Sequence, residues 1–196
     1  LRKHFGQSYY LDNQTLTFNR GYSAWDGTNY TGEASKVNQG IGLHIYGSNN
    51  TVTQNSNIAT IGEGSIGVRI EGVNNNYTLT NGSSIATNGK NNLAIAATWG
   101  KNHTINIENG ANVEAAGENG IAASFDFGKN LFGSTMNDKG SYINYNDDVE
   151  DNIAPSLETN DALVDNFNVS GKLKGEKAAI YISENAYVKN INILQE

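Results

Sequence analysis

Four carboxylates crowd into six residues at Asn146-Asp-Asp-Val-Glu-Asp151. Asp147, Asp148, Glu150 and Asp151 could supply oxygens to a hard cation such as Ca2+, which takes six to eight of them. The run lacks the spacing of an EF-hand loop and of the glycine-rich calcium nonapeptide, and an acidic loop tip explains it equally well. Three histidines are present, His4, His44 and His103. No HxH or HxxxH pair and no cysteine accompanies them, so no metal site is expected and solvated surface is the plain reading. Glu71, Arg69 and Asp126 carry charge on strand-like segments. In a polysaccharide-cleaving enzyme two carboxylates would work as acid and base. Placed two coils of a repeat apart, Glu71 and Asp126 would sit about 10 Å from one another, near the upper limit for an inverting pair. No Gly-x-Ser-x-Gly elbow occurs, which removes the simplest serine-hydrolase reading.

Other side chains suit recognition. Tyr22, Trp25 and Tyr30 lie in a Gly/Tyr/Trp stretch at 21–32, and Tyr46, Trp99 and Tyr181 fall on or beside strands. Outward Tyr and Trp are what protein or sugar contacts use. Thr15-Leu-Thr17, Thr51-Val-Thr53 and Thr78-Leu-Thr80 resemble the stacked hydroxyls of ice-binding solenoids, but Thr104-Ile-Asn106 breaks the array, and Thr favours strands anyway. Seven Asn-x-Ser/Thr sequons are present; with 31 asparagines most arise by chance.

The elements that must hold these residues follow from a repeat. Ile41-Gly-Leu-His-Ile-Tyr-Gly47, Ile66-Gly-Val-Arg-Ile-Glu-Gly72, Leu93–Gly100 and Ile121–Gly128 can be laid over one another, with starts 25, 27 and 28 residues apart by subtraction. Each phrase leads into a polar turn (SNNT, VNNNYT, KNHT, KNLF). Second strands are read at 51–53, 77–80 and 104–107, and third strands at 57–62, 84–89 and 112–117. Apolar residues alternate with period two, and no long amphipathic helix is visible. Abundant Gly (22) and Asn suit tight turns, and one proline, Pro155, interrupts little. The expected fold is all-β: a right-handed parallel β-helix, a three-sided solenoid of about 25–28 residues per coil with lateral loop excursions. Ile41, Leu43 and Ile45 are expected inward, with Gly42, His44 and Tyr46 outward. Phe125 and Phe127 would begin an aromatic stack, and the Asn-rich turns would form Asn ladders.

The whole of 1–196 reads as one solenoid segment, with regular coils over 39–128, a polar and acidic excursion over 129–165, and returning coils over 166–196. The 59 residues from Ile121 to Ile180 correspond to roughly two coils, and residues 1–39 give one readable strand, 14–18. A net charge of −7 with scattered Lys and Arg excludes a nucleic-acid partner. The longest apolar run is too short to insert in a membrane. The chain begins at Leu1 and reads as a piece of something longer, without cysteine, as exported surface proteins often are.

The cadence at 40–68, G-I-G-L-H-I-Y-G-S-N-N-T followed by S-N-I-A-T-I-G-E-G-S-I-G-V, resembles the passenger domain of a type V autotransporter of Gram-negative bacteria. The likeness covers residues 40–128 well and 166–196 less closely. It implies a β-helix exported and displayed extracellularly at the outer membrane, structural and adhesive in role. The partner would be a host or bacterial cell-surface protein or glycan. The binding surface would draw on Tyr22, Trp25, Tyr30, His44, Tyr46, Arg69, Glu71, Asp126 and Tyr181, with no cofactor, no metal and no catalytic residue. The alternatives are a carbohydrate-active β-helix enzyme and a pure spacer stalk. Open coil ends are strand edges, so self-association is also expected.

Overall fold

The computed structural model describes residues 8–12, 15–18, 40–127, 162–184 and 186–194, with the backbone alone for the first two ranges. Among them all regular structure is strand. The strands are β1 (Ser8–Asp12), β2 (Thr15–Phe18), β3 (Ile41–Ser48), β4 (Thr51–Gln54), β5 (Asn57–Ile61), β6 (Ile66–Val73), β7 (Asn76–Leu79) and β8 (Ser84–Asn88). They continue as β9 (Leu93–Ala97), β10 (His103–Ile107), β11 (Asn112–Ala115), β12 (Ile121–Phe125), β13 (Val164–Val169), β14 (Lys172–Gly175), β15 (Ala178–Ile182) and β16 (Val188–Ile193). From β3 onward every third strand pairs in parallel, and β1 and β2 pair with β3 and β4, giving sheet 1 (β1-β3-β6-β9-β12-β15), sheet 2 (β2-β4-β7-β10-β13-β16) and sheet 3 (β5-β8-β11-β14). This is the three-sided β-solenoid that the repeat predicts, with four coils contributing a strand to all three sheets.

The coils stay in register because like stacks on like about 4.8 Å apart. Leu43, Val68, Ile95 and Ala123 are partners in sheet 1, and Ile45, Ile70, Ala97 and Phe125 form the next inward column. Val52, Tyr77, Ile105 and Phe167 answer them from sheet 2, and Ile58, Ile85 and Val113 from sheet 3. Phe125 meets Phe167 edge to face with ring centroids 5.1 Å apart. Phe127 does not extend that stack; it lies flat on Trp99 at 4.4 Å.

Period two fails at one place, and the glycines explain it. Ile41, Ile66, Leu93 and Ile121 form a separate apolar cluster with Ala96, on the outer side of sheet 1, not in the core as the alternation predicted. The chain bends after them, so that Gly42 and Gly67 turn inward beside Leu43 and Val68. A Cβ on Gly42 would fall 2.5 Å from Ile58 Cγ2, and one on Gly67 2.3 Å from Ile85 Cγ2. Two consecutive residues therefore face the core, and the first must be nearly without a side chain.

The corners use the left-handed backbone. Gly72 has φ +106°, and a Cβ there would lie 1.8 Å from the Gly47 carbonyl oxygen one coil below. Asn49, Asn74, Asn91, Asn102 and Asn119 all have φ of 55–60°, which Asn tolerates better than other side chains. The expected Asn ladders are present: Asn74 Nδ2 donates to Asn49 Oδ1 at 2.8 Å, and Asn119 Nδ2 to Asn91 Oδ1 at 3.2 Å.

Three strands escaped the sequence reading. β14 reads Lys-Leu-Lys-Gly and has too few apolar residues to announce itself, while β1 and β13 lie outside the aligned phrases of the repeat. Ile121 pairs with Ala178 and Ala123 with Ile180, so this stretch is one enlarged coil rather than two. The returning segment joins sheet 2 at Val164, inside the stretch assigned to the excursion. Most of 129–165, including Asp147, Asp148, Glu150 and Asp151, lies outside the described residues, as do His4 and the stretch 21–32 with Tyr22, Trp25 and Tyr30.

Candidate functional site

The outer face of sheet 1 gathers the remaining six candidate residues. Because His44, Arg69, Ala96, Ser124 and Tyr181 are successive register partners, they form one outward column. Tyr46 and Glu71 are partners in the column beside it, which Thr98 and Asp126 continue. Residues that lie up to 137 positions apart in the chain (181 minus 44) are thus brought onto one face by stacking alone.

Facing outward does not leave these side chains in water, contrary to the sequence reading. His44 is 2 % exposed, Tyr46 3 %, Arg69 1 %, Glu71 0 % and Thr98 1 %; Ser124 is buried, Asp126 half-buried and Tyr181 exposed. The buried charges close on one another. His44 Nε2 donates to Glu71 Oε2 at 2.6 Å, and Arg69 Nη2 to Glu71 Oε1 at 2.8 Å. Arg69 Nε donates to Thr98 Oγ1 at 3.1 Å, and the Thr98 hydroxyl donates to Glu71 Oε1 at 3.3 Å. Both oxygens of Glu71 are occupied. A buried carboxylate would be costly alone, and its pairing with a guanidinium offsets much of that cost.

Trp99 and Phe127 flank this network and pack with Tyr46. The Trp99 indole Nε1 is buried without a hydrogen-bond acceptor. Trp99 is buried rather than presented outward for recognition.

The network runs on into the corner between sheets 1 and 2. Asn75 Nδ2 donates to the carbonyls of Gly47 and Glu71, each at 2.9 Å, and Asn75 Oδ1 accepts from the Asn50 backbone N–H at 3.1 Å. One coil further, His103 stands where Asn50 and Asn75 stood. Its Nδ1 accepts from the Asn75 N–H at 3.3 Å and its Nε2 donates to the Trp99 carbonyl at 3.1 Å. Those two bonds assign the neutral tautomer. His103 is wholly buried, not solvated, and burial pushes its pKa down from 6.5 to about 4, against the raising pull of the Trp99 carbonyl and the Glu71 charge. Thr98 and Asn75 belong to this site with no sequence signal of their own, and His103, which the sequence reads as solvated surface, joins them. The aligned turns SNNT, VNNNYT and KNHT did hold the signal for His103, which falls in an Asn column.

Sheet 2 presents a different outer face, mostly uncharged and partly to fully exposed. Its columns run Thr51, Asn76, Thr104, Asn166, Asn190 and Thr53, Thr78, Asn106, Asn168, Asn192, with Thr15 and Thr17 at their head by backbone register. The third hydroxyl pair read from sequence is displaced: Thr78 stacks on Thr53, and Asn76, not Thr80, completes that rung.

Among the described residues no group of three or more His, Asp or Glu converges to hold a metal ion, and no helix is long and apolar enough to cross a membrane. Comparison of the chain with protein-family models, curated proteins and solved structures returns no match.

Proposed function

We propose that this chain is a rigid solenoid segment of an extracellular, surface-displayed passenger of the autotransporter type, which acts by contact rather than by turnover. The observation that carries this reading is the closure of the Arg69–Glu71–His44 network: its carboxylate is spent on holding the face together, which suits a scaffold better than acid–base chemistry. The partner is a cell-surface protein or glycan, met by exposed groups such as Tyr181 and the sheet 2 columns and by the segments 21–32 and 129–161. The test is saturable binding of the purified chain to intact cells and to immobilised glycans, repeated with each of those segments deleted. Binding that is lost with one deletion supports adhesion; a chain that binds no surface is a spacer.

One observation favours a second reading. Glu71 and Asp126 share a column two coils apart, and Asp126 is half-buried rather than enclosed. A carbohydrate-active enzyme would release reducing ends from acidic polysaccharides, with or without Ca2+, and would lose that activity in Asp126→Asn.

A further inference from the structure

Asn50, Asn75 and His103 hold one position in three successive coils, at the corner between sheets 1 and 2. Each backbone N–H in this column donates into the side chain of the next coil. The Asn50 N–H donates to Asn75 Oδ1 at 3.1 Å, and the Asn75 N–H to His103 Nδ1 at 3.3 Å. Backbone bonds of 2.8–2.9 Å flank both steps. At the first, Asn49 N–H donates to the Val73 carbonyl and Asn76 N–H to the Asn50 carbonyl. At the second, Asn74 N–H donates to the Lys101 carbonyl and Thr104 N–H to the Asn75 carbonyl. The fold builds the same clasp twice, once on an amide and once on an imidazole.

The two acceptors differ in one respect. An amide oxygen accepts at any ordinary pH, whereas a ring nitrogen accepts only while it carries no proton. A proton on Nδ1 would set it against the Asn75 N–H, donor facing donor, where Asn75 is 1 % exposed and His103 0 %. No neighbour offers a substitute acceptor. The Glu71 charge favours a protonated ring, but its carboxylate oxygens are taken by His44 and by Arg69 with Thr98. Asn75 Oδ1 is taken by the Asn50 N–H, and the Tyr77 hydroxyl of β7 donates to Gln54. On β13 the ring's strand is paired at Val164, with Asp165 half-buried beside it, and Lys101 lies two residues before His103. Among the described residues the ring bonds only to Asn75 and to the Trp99 carbonyl. The lowering of the His103 pKa to about 4 by burial agrees with a ring that its surroundings hold neutral.

We propose that His103 is an acid-released clasp: when its ring takes up a proton, the corner between the β6–β8 coil and the β9–β11 coil opens, while the matching corner one coil earlier stays shut. The opening is local, because β8 and β11 remain paired in sheet 3 through Ser84–Thr87 and Asn112–Ala115, where no histidine takes part. The inference is independent of the adhesive reading, since the clasp is internal to the solenoid and needs no partner.

The test is amide hydrogen exchange of the full chain, resolved by NMR between pH 7 and pH 4.5, with each rate corrected for the intrinsic effect of pH. The expected result is that protection of Asn74, Asn75 and Thr104 falls about tenfold per pH unit below about pH 6, while Asn49, Asn50 and Asn76 keep theirs. In His103→Asn, which places the amide of the two preceding coils at this step, every one of these amides should stay protected. His103→Gln, also an uncharged amide, replaces that variant if it does not fold. Loss of protection shared equally by both steps is a general weakening of the stack and overturns the proposal. So does an absence of loss at the second step. A loss that survives the substitution overturns it too, since the titrating group would then be His44 or Glu71.

Discussion

His103 makes the stability of the corner depend on pH in a direction that can be worked out. Burial lowers its folded pKa to about 4 from 6.5. Between those values the unfolded chain takes up a proton that the folded chain refuses, so stability is complete above about pH 6.5 and falls as the pH drops towards 4. A shift of this size amounts to about 3 kcal/mol. Denaturant melts at pH 7 and pH 4.5 should show most of that loss, and His103→Asn, which restores the residue of the two preceding coils, should flatten this part of the profile. Glu71 has the opposite character, a charge whose value lies in its partners. Glu71→Ala leaves Arg69 enclosed without its carboxylate and should destabilise by about 3–5 kcal/mol. A loss below 1 kcal/mol would mean that the network is less enclosed than its geometry indicates.

Within a strand, the decisive feature is the pair of consecutive inward residues at the start of each sheet 1 strand. Gly67 lies where a methyl group would meet Ile85 Cγ2 at 2.3 Å and the Ala94 carbonyl oxygen at 2.5 Å. Gly67→Val should cost at least the 1–3 kcal/mol typical of overpacking, and pairing it with Ile85→Ala should recover part of the loss. If the double variant is simply additive, the two residues do not share that space. At the corner, Gly72→Ala combines a positive φ with a 1.8 Å approach to backbone that cannot yield. It should be worse than Gly82→Ala, whose Cβ would meet nothing within 4 Å and whose cost is backbone strain alone, about 1–3 kcal/mol. Thermal melts of the two variants side by side decide this.

Across the whole molecule, each coil touches mainly its two neighbours, so stability accumulates along the axis as a sum of interfaces. Among the described residues the middle coils are covered on both sides and the last on one. Hydrogen exchange measured at low concentration should therefore be slowest in β9 and β10 and fastest in β15 and β16. A uniform pattern of protection across the strands would be at odds with a one-dimensional stack.

The amino-acid sequence by itself determined the repeat, the parallel three-sided stack and the Asn corners. Those are local rules, periodic alternation and turn chemistry, repeated often enough for spacing alone to reveal them. It also placed His44 and Tyr46 on the outward side of their strand and Glu71 and Asp126 two coils apart, since phrases that align in sequence align in space. Only the tertiary structure decided that Ile41 and its equivalents leave the core, because the bend at Gly42 and Gly67 depends on how near Ile58 and Ile85 come from another sheet. Only it decided that His44, Arg69 and Glu71 are buried and pair with one another, since enclosure is a property of the assembled face rather than of any strand. The enlarged coil between Ile121 and Ala178 was illegible for a related reason: the polar strand β14 owes its conformation to the edge it pairs with, and β13, though it carries Val164, Phe167 and Val169, falls outside the aligned phrases.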